Sequence, residues 1–582
     1  MSPFPESLPG RPASVAFGRV RGSDSLNAAG WRLAAVIVIA VILLLGLLPV
    51  GRLVMTAIAP GGELDFSAFL DRLTKPAALR AVWNTLDTAF FGAALALAIG
   101  APFAGAVAIT DLPTRRFLGF LLLMPLIIAP QVTALSWLHL TGPSSTLLNM
   151  LGIAPPPGTP NPILGRTGII LLYGVQHAPI VFITLRAGLV GLPGDLIEAA
   201  RASGSSLPRA FVTIILPLMR PWIAASAALA FVSGIGNFGI PALLGLPVNY
   251  LTLSTLIYRQ MSSFGPGVLP QMASLSVLIG GLALVGIAVQ SLALRGHHAR
   301  YAAGRTVQFL LGRWRVPLAA LCWLALIVML FLPALALVAT SLVPAFGVPL
   351  TWQTVTLANY EEVMLRQAAT VRAFINSTLL AGSAALILAL GTIPVAIIME
   401  RFGARNRRLL QGVAELPYAL PGIVLAIACI LLFLRPLPLI GSLYATAWII
   451  LIAYLMRFLT LALKPVASAV AQIPADLDEA AASSGASPLR RVITISAPLA
   501  APAAVAGGLL VFMSAFNELT VSALLWSSRN ETLGVVLFSL EEAGLGTQAA
   551  AVAVATVVVV VTLLAVLDGF ARRLPAGVLP WR

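Results

Sequence analysis

The chain has 582 residues, of which 59% are hydrophobic and only 10% charged. An ordinary soluble domain carries roughly 25% charge, so a soluble multidomain enzyme, a disordered chain, a disulfide scaffold and a single-anchor enzyme are excluded. The formal charge of +15 is almost all arginine, Lys75 and Lys464 being the only lysines, and it is distributed along the chain instead of forming a nucleic-acid-binding patch.

The composition predicts an all-α polytopic membrane protein. At about 20 apolar residues per span, twelve spans would use about 240 residues. Residues 1–32, rich in Ser, Pro, Gly and Arg, read as an N-terminal tail. Six apolar runs follow at 33–55, 85–109, 117–137, 167–188, 219–243 and 272–294. The first ends near Ala57-Ile58-Ala59, which resembles a signal cleavage site. It is about twice the length of a signal core, however, so an uncleaved helix is expected. An Arg- and His-containing linker at 295–316 precedes a second set at 317–340, 375–399, 409–434, 440–462, 499–524 and 547–568. The expected domains are therefore 33–294 and 317–570, with a tail at 571–582. Cys322 and Cys429 lie inside apolar runs and read as small packing residues.

The arginines set the orientation. Arg115 and Arg116, Arg201 and Arg209, Arg295 to Arg315, Arg401 to Arg408, and Arg490 and Arg491 fall on alternate connections, and the other connections hold far fewer. Under the positive-inside rule this places both termini in the cytoplasm.

The chain also repeats itself. Residues 192–217 read LPGDLIEAARASGSSLPRAFVTIILP, and residues 473–498 read IPADLDEAAASSGASPLRRVITISAP. At a constant offset of 281, Pro193, Asp195, Glu198, Ala199, Ala200, Gly204 and Pro217 recur as Pro474, Asp476, Glu479, Ala480, Ala481, Gly485 and Pro498. Weaker echoes pair Met124-Pro125 with Leu416-Pro417 and Phe231 with Phe512. Two six-span halves with both loops on one side form a parallel repeat about an axis along the membrane normal.

Each loop reads as a capped helix-turn-helix. Asp195 with Glu198, and Asp476 with Glu479, stand three apart after a proline, so an N-cap with a carboxylate three residues on is expected. Gly204 and Gly485 suit a left-handed stop, and Ser206 and Ser487 suit a second cap. A single box of this kind is common in plain connectors; its recurrence at one offset is not.

The spacing Glu-Ala-Ala, three residues, Gly, nine residues, Ile-x-Leu-Pro resembles the loop of permease subunits in binding-protein-dependent ABC importers. Glu198 to Pro217 matches every element, and Glu479 to Pro498 departs only at Ala497. The resemblance covers both halves. It implies a coupling helix in each loop that docks on a cytoplasmic ABC ATPase, hence two ATPase copies per chain, and a periplasmic substrate-binding protein. It further implies a bacterial inner-membrane location, with membrane lipid around the chain and no nucleic-acid partner.

No Gly-Lys-Ser/Thr exists, because Lys75 sits in LTKPA and Lys464 in ALKPV. The chain is therefore expected to be a transport component with no catalytic residue or bound cofactor, and ATP is used by its partners. No metal-ligand spacing is present.

Ionisable groups inside spans are candidates for the pathway. Glu518 lies sixteen residues past Pro502, about 24 Å along a helix, and aligns with Asn237 at the same offset. Glu518, Asn517 and Asn237 are the pathway candidates; the plainer alternative for Glu518 is a carboxylate hydrogen-bonded within the bundle. Glu415 and His177 read as interhelical packing residues.

The run Asn-Phe-Gly-Ile-Pro-Ala-Leu-Leu-Gly from Asn237 looks most like fused ferric iron permeases. Fused thiamine permeases come next, and sulfate, polyamine and aminophosphonate branches follow. Two other classes compete with the permease. A secondary transporter needs mid-membrane charges to carry a coupling ion and has no use for the capped loops. A channel or scaffold would use the loops only to bind partners.

Overall fold

The computed structural model describes residues 25–192, 194–263, 265, 267–294, 309–436 and 441–571. Residues 1–24 of the expected tail, Pro193, residues 295–308 of the expected linker and residues 572–582 lie outside the described residues. Among the described residues there is no β-strand; Thr110 and Phe309 form an isolated parallel bridge.

Nine continuous helices among the described residues are long and apolar enough to cross a membrane, and four bent pairs qualify when taken together. The first span is the pair Gly30–Gly46 and Leu48–Ile58, bent by 40°. The third and ninth are sharply broken: Arg115–Ile127 meets Pro130–Met150, and Ala404–Ala419 meets Gly422–Phe433, each at 101°. Counting those three as spans gives the expected twelve. The fourth bent pair, Gly239–Val248 and Leu253–Met261, turns through 73° and follows the fifth span.

Five expected elements differ from those observed. The runs 117–137 and 409–434 are each two helices, because the chain is extended at Ile128–Ala129 (ψ 133° and 138°) and at Leu420–Pro421 (ψ 143° and 140°). The run 219–243 ends as a helix at Gly236, and 499–524 ends at Phe516. The tenth span is Ala447–Ala471 rather than 440–462, and Pro465 stands inside it. Neighbouring helices can re-satisfy backbone groups freed by a proline, so an internal proline does not end a membrane helix.

The repeat is sharper in structure than in sequence. Arg166–Val190 and Ala447–Ala471 have bounds 281 apart, as do Gly194–Ala202 and Ala475–Ser483. Upstream the offset is 292, relating Pro130–Thr141 to Gly422–Phe433 and the starts of Pro76–Ile109 and Ala368–Glu400. The change falls between the third and fourth spans. There the first half carries extra chain, including the short helix Thr146–Met150 capped by Ser145.

Lipid tails are as apolar as leucine, so close packing of small residues drives helix association in a bilayer. On the second span Gly92, Ala96 and Gly100 are buried, and Gly100 leaves room for only 2.6 Å between an added Cβ and the Ala178 carbonyl of the fourth span. Gly174 meets Leu95 equally closely. Between the halves the first spans are exchanged. Ser25–Gly46 packs on Ala404–Ala419, Leu48–Ile58 packs on Gly422–Phe433, and Leu332–Ser341 packs on Pro130–Thr141. Each half's first span thus lies against the broken third span of the other half, while Leu48–Ile58 also packs on Val268–Leu294 and Leu332–Ser341 on Gly546–Ala571 of its own half. Cys322 and Cys429 are buried and free.

Candidate functional site: two surface loops and a crossing between the halves

The fourth span runs directly into the first repeated loop and the tenth into the second. Each loop starts with a nine-residue helix, Gly194–Ala202 or Ala475–Ser483. The expected capping box is corrected here. The second helix begins one residue before Asp476, with Pro474 at its N-cap and no side-chain cap bond. Asp476 is thus in the first turn and Glu479 lies beyond reach of the cap; Asp195 and Glu198 hold the same places one and four residues past Gly194. Proline at the boundary supplies the fixed φ, and the acids act on the helix dipole instead.

The stops are left-handed turns. Gly204 has φ +82° and Gly485 φ +77°. In the second loop the Ala486 amide donates back to the Ala481 carbonyl at 3.0 Å, and in the first Ser205 donates to Ala200 at 2.9 Å. The Ser487 hydroxyl accepts from the Arg490 amide and caps Pro488–Arg491. Ser206 accepts from the Ala210 amide through its carbonyl. Arg491 ties the two helices of the second loop together by donating to the Asp478 carboxylate at 2.9 Å. Nearby Arg401 lies over Trp31 of the exchanged first span, 3.7 Å from its ring. Burial pulls the Arg401 pKa down, Asp478 opposes that shift and Arg491 adds to it.

Asp195, Glu198, Ala199, Gly204, Asp476, Glu479, Ala480 and Gly485 are all exposed, while Ala200 and Ala481 are half-buried. Leu477, Leu489, Ile493, Phe211 and Val212 add exposed apolar surface. Behind each loop the backbone widens into a π-turn, Phe211–Ile215 or Val492–Ser496, with Leu216 donating to the Phe211 carbonyl and Ala497 to that of Val492. Pro217 and Pro498, placed two residues past each π-turn, are the cause: they offer no N–H to the carbonyl four residues back, and their rings press on it. These π-turns had no expectation from sequence.

The second feature is the crossing of the halves. Asn517 donates to the Ile127 carbonyl at 3.4 Å and accepts through its own carbonyl from Gln131 at 3.2 Å. On the other side of the pseudo-axis, Gly236 leaves 3.7 Å between an added Cβ and Pro421. The offsets make these the same contact twice, since Asn517 matches Gly236 at 281 and Pro421 matches Ala129 at 292. In each case the segment after the fifth or eleventh span docks on the broken third span of the opposite half.

Asn237 and Glu518 occupy matched places just beyond. The Asn237 side chain accepts from the Ile240 amide at 3.1 Å and starts Gly239–Gly245. Glu518 accepts from the amides of Val521 at 2.9 Å and Ser522 at 3.3 Å, and from the Thr520 hydroxyl. Both are buried. Of the three pathway candidates, then, Asn517 bridges the halves, while Asn237 and Glu518 cap the helices that follow.

Sequence reasoning missed two residues here. Gln176, on the fourth span, donates to the Pro125 and Ile128 carbonyls at the break of the third span. Its match at 281 is Arg457, on the tenth span, whose Nη1 is 2.7 Å from where a Gly422 Cβ would stand, at the equivalent break. That Nη1 is buried without a hydrogen-bond partner. The signal was present, as Arg457 interrupts the apolar run AWIILIAYLMRFLTLAL. Glu415 pairs with Lys464 at 3.0 Å, and His177 is buried against Tyr173, 5.3 Å between rings. Among the described residues no cluster of three or more His, Cys, Asp or Glu is present.

The model of the binding-protein-dependent transport system inner membrane component family matches twice, at residues 90–300 and 392–579. A protein of Sinorhizobium fredii described as "Probable ABC transporter permease protein y4fN" is 28% identical over 88% of this chain and 91% of its own length. The "Ferric transport system permease protein FbpB" of Actinobacillus pleuropneumoniae is 26% identical over 76% of this chain and 64% of its own length. A "Probable molybdenum ABC transporter permease protein" of Haloferax volcanii is 29% identical over 47% of this chain and 93% of its own length. With the family unit present in each half of an all-helical, many-spanned fold, the chain belongs to the binding-protein-dependent transport system inner membrane component family, as a double-length, multi-pass ABC importer permease of the inner membrane.

Proposed function

We propose that this permease forms the whole transmembrane pathway of its importer and receives two ATPase copies from the cytoplasm, one on each repeated loop. Both termini lie on that side. A substrate-binding protein delivers cargo to the opposite face. The observation that carries this reading is the loop pair: the same helix bounds at one offset, the same left-handed glycine, the same π-turn and an exposed, partly apolar surface in both. A rigid π-turn and proline behind each docking helix would pass ATPase motion to the fifth and eleventh spans, and those spans end at the crossing. Closure at the loops would then rock the halves about the contacts of Asn517 with Ile127 and of Gly236 with Pro421, a two-state change biased by a distant ligand.

Ferric iron is the cargo best supported, by the match at Asn237 onward and by a ferric relative spanning most of this chain. The molybdenum relative, aligned over nearly all its length, favours an oxyanion as the second reading. The docking reading is tested with Glu198→Arg combined with Glu479→Arg. Uptake should disappear and ATPase co-purification should fail, while the chain still inserts and melts as wild type. Full uptake by the double variant would sink it. Ferric and molybdate uptake by cells carrying the importer separates the two cargoes.

A further inference from the structure

The second half carries charge at three positions where the first half is apolar or neutral. Arg457 lies ten residues from the start of Ala447–Ala471 and fourteen from its end, about 15 Å and 21 Å along the helix, so it sits near mid-membrane. Lys464 is seven residues further on, two turns along the same face. That face looks at Ala404–Ala419: Thr460 donates to the Ala414 carbonyl at 2.7 Å, and Lys464 pairs with Glu415 at 3.0 Å. Side chains of Lys464 and Glu415 are 65% and 45% exposed. Charges this exposed within a span are costly against lipid and are favoured where they pair with each other and reach water. Tyr418, one turn past Glu415, is half exposed beside them.

At the matched positions the first half is neutral: Gln176 for Arg457, Ile183 for Lys464, Leu123 for Glu415 and Leu126 for Tyr418; its one cation near this level, Arg186, stands three residues past Ile183 and matches Ala467. Gln176 satisfies the carbonyls of its break, whereas Arg457 has no ion pair within 4.0 Å among the described residues, and its Nη1 is unpartnered. Glu518, the acid nearest in register, already accepts from Thr520, Val521 and Ser522. The Thr520 hydroxyl that donates to Glu518 and the Arg457 Nη1 both crowd Gly422, so Glu518 is close by, but the two make no ion pair, and the unpartnered Nη1, beside the crossing of the halves, can donate to an anion brought by the cargo.

We propose that Arg457 and Lys464 form a cationic track on the second half and are specificity-determining residues for a cargo that crosses as an anion. The chemistry they recognise is a cluster of negatively charged oxygens, whether a free oxyanion or a ferric ion wrapped in carboxylates. Arg457 offers planar, paired donors for such oxygens, and Lys464, released from Glu415, receives them toward the loop side. This inference rests on the permease reading.

Local charge is read first, independently of transport. Tyr418→Cys and its match Leu126→Cys are made in the full chain, whose own cysteines are buried, and treated with anionic and cationic methanethiosulfonates. Tyr418→Cys should favour the anionic reagent over the cationic one by at least about three-fold more than Leu126→Cys does, and Arg457→Gln should remove most of that preference. Failure of both reagents to reach Tyr418→Cys, or a preference indifferent to Arg457→Gln, overturns the track. Uptake is then measured with ferric citrate and molybdate, and with thiamine as a cationic control. For whichever anion is carried, Arg457→Gln should lower uptake about ten-fold and Arg457→Lys should keep about a third or more. Gln is the residue the first half uses at this place, so Arg457→Gln should fold. Wild-type uptake by that variant, or thiamine as the cargo, overturns the proposal. Uptake indifferent to the arginine substitutions in both loops would overturn the permease reading instead.

Discussion

The glycines that end the two loop helices offer a perturbation whose magnitude follows from backbone geometry alone. Gly485 has φ +77°, Gly204 has φ +82°, and an added Cβ at either would find nothing within 4 Å. A substitution there meets no neighbour, so its cost is the left-handed conformation itself, about 1–2 kcal/mol for an L-residue. That is roughly a five- to thirty-fold shift away from the native turn, since 1.4 kcal/mol is about ten-fold. Asparagine, which tolerates this region, should lose the least, alanine more, and β-branched valine the most. The turn also holds the Ala486-to-Ala481 bond, so its loss frays the end of the helix that presents Glu479 and Ala480. Uptake and ATPase retention should fall in the order Gly, Asn, Ala, Val at position 485. The same series at 204 should multiply with it, because the loops share no partner. The melting temperature should fall by no more than about 1–2 °C, because about 1–2 kcal/mol is small against the unfolding entropy of a chain this long. Valine at full activity would show that the turn is not needed for docking. Asparagine as poor as valine would show that bulk, not φ, is being sensed.

Two other substitutions test the interior. Glu518→Ala leaves the Val521 and Ser522 amides without their acceptor and should destabilise the permease by about 2–4 kcal/mol in detergent melts. Glu518→Gln keeps an acceptor oxygen and should melt within about 1 kcal/mol of wild type with uptake retained; lost uptake at normal stability would make Glu518 a transport group instead of a cap. Gly100→Leu drives a side chain into the Ala178 carbonyl and Val181, 2.6 and 2.8 Å from the first added carbon, and should abolish folded yield on size-exclusion chromatography. Gly105→Leu, on the same helix with open space, is the control and should be recovered normally.

Much of this arrangement was legible in the chain, for identifiable reasons. The loops were readable because polar, glycine-punctuated segments stand out against apolar runs, and repetition at one offset separated them from ordinary connectors. Their capping was misread by one position, since Pro474 and the acids after it suit either an N-cap or a first turn. The breaks at Ile128–Ala129 and Leu420–Pro421 were hidden because MPLIIAPQVTALSW and LPYALPGIVLAIA stay apolar across the turn. Hydropathy reports solvent, not direction. The exchange of first spans was invisible for the same reason: a helix face packed on the other half and one packed on lipid have the same composition. Arg457 was readable as a residue but not as a site, because what makes it unusual is the backbone of a segment 35 residues away, at Gly422.

Where the halves agree and where they differ follows one logic. Helix bounds, left-handed glycines and π-turns are copied residue for residue from Arg166–Val190 through Val492–Ser496. The proposed docking of one ATPase copy on each loop would require two like surfaces, which accounts for the matched course from the loops into the fifth and eleventh spans. On the far side the constraint lapses, and the offset drops from 292 to 281 as the first half keeps a longer connection with its own Ser145-capped helix. The proposed single binding protein has no two-fold axis to match. Within the membrane the backbone of the crossing stays paired, Asn517 on Ile127 and Gly236 on Pro421, as the proposed rocking of the two halves about a matched fulcrum requires. The side chains around it do not: Gln176 becomes Arg457, Asn237 becomes Glu518 and Ile183 becomes Lys464. Fusion into one chain lets each half vary independently, so mechanical symmetry and chemical asymmetry can be held in the same repeat.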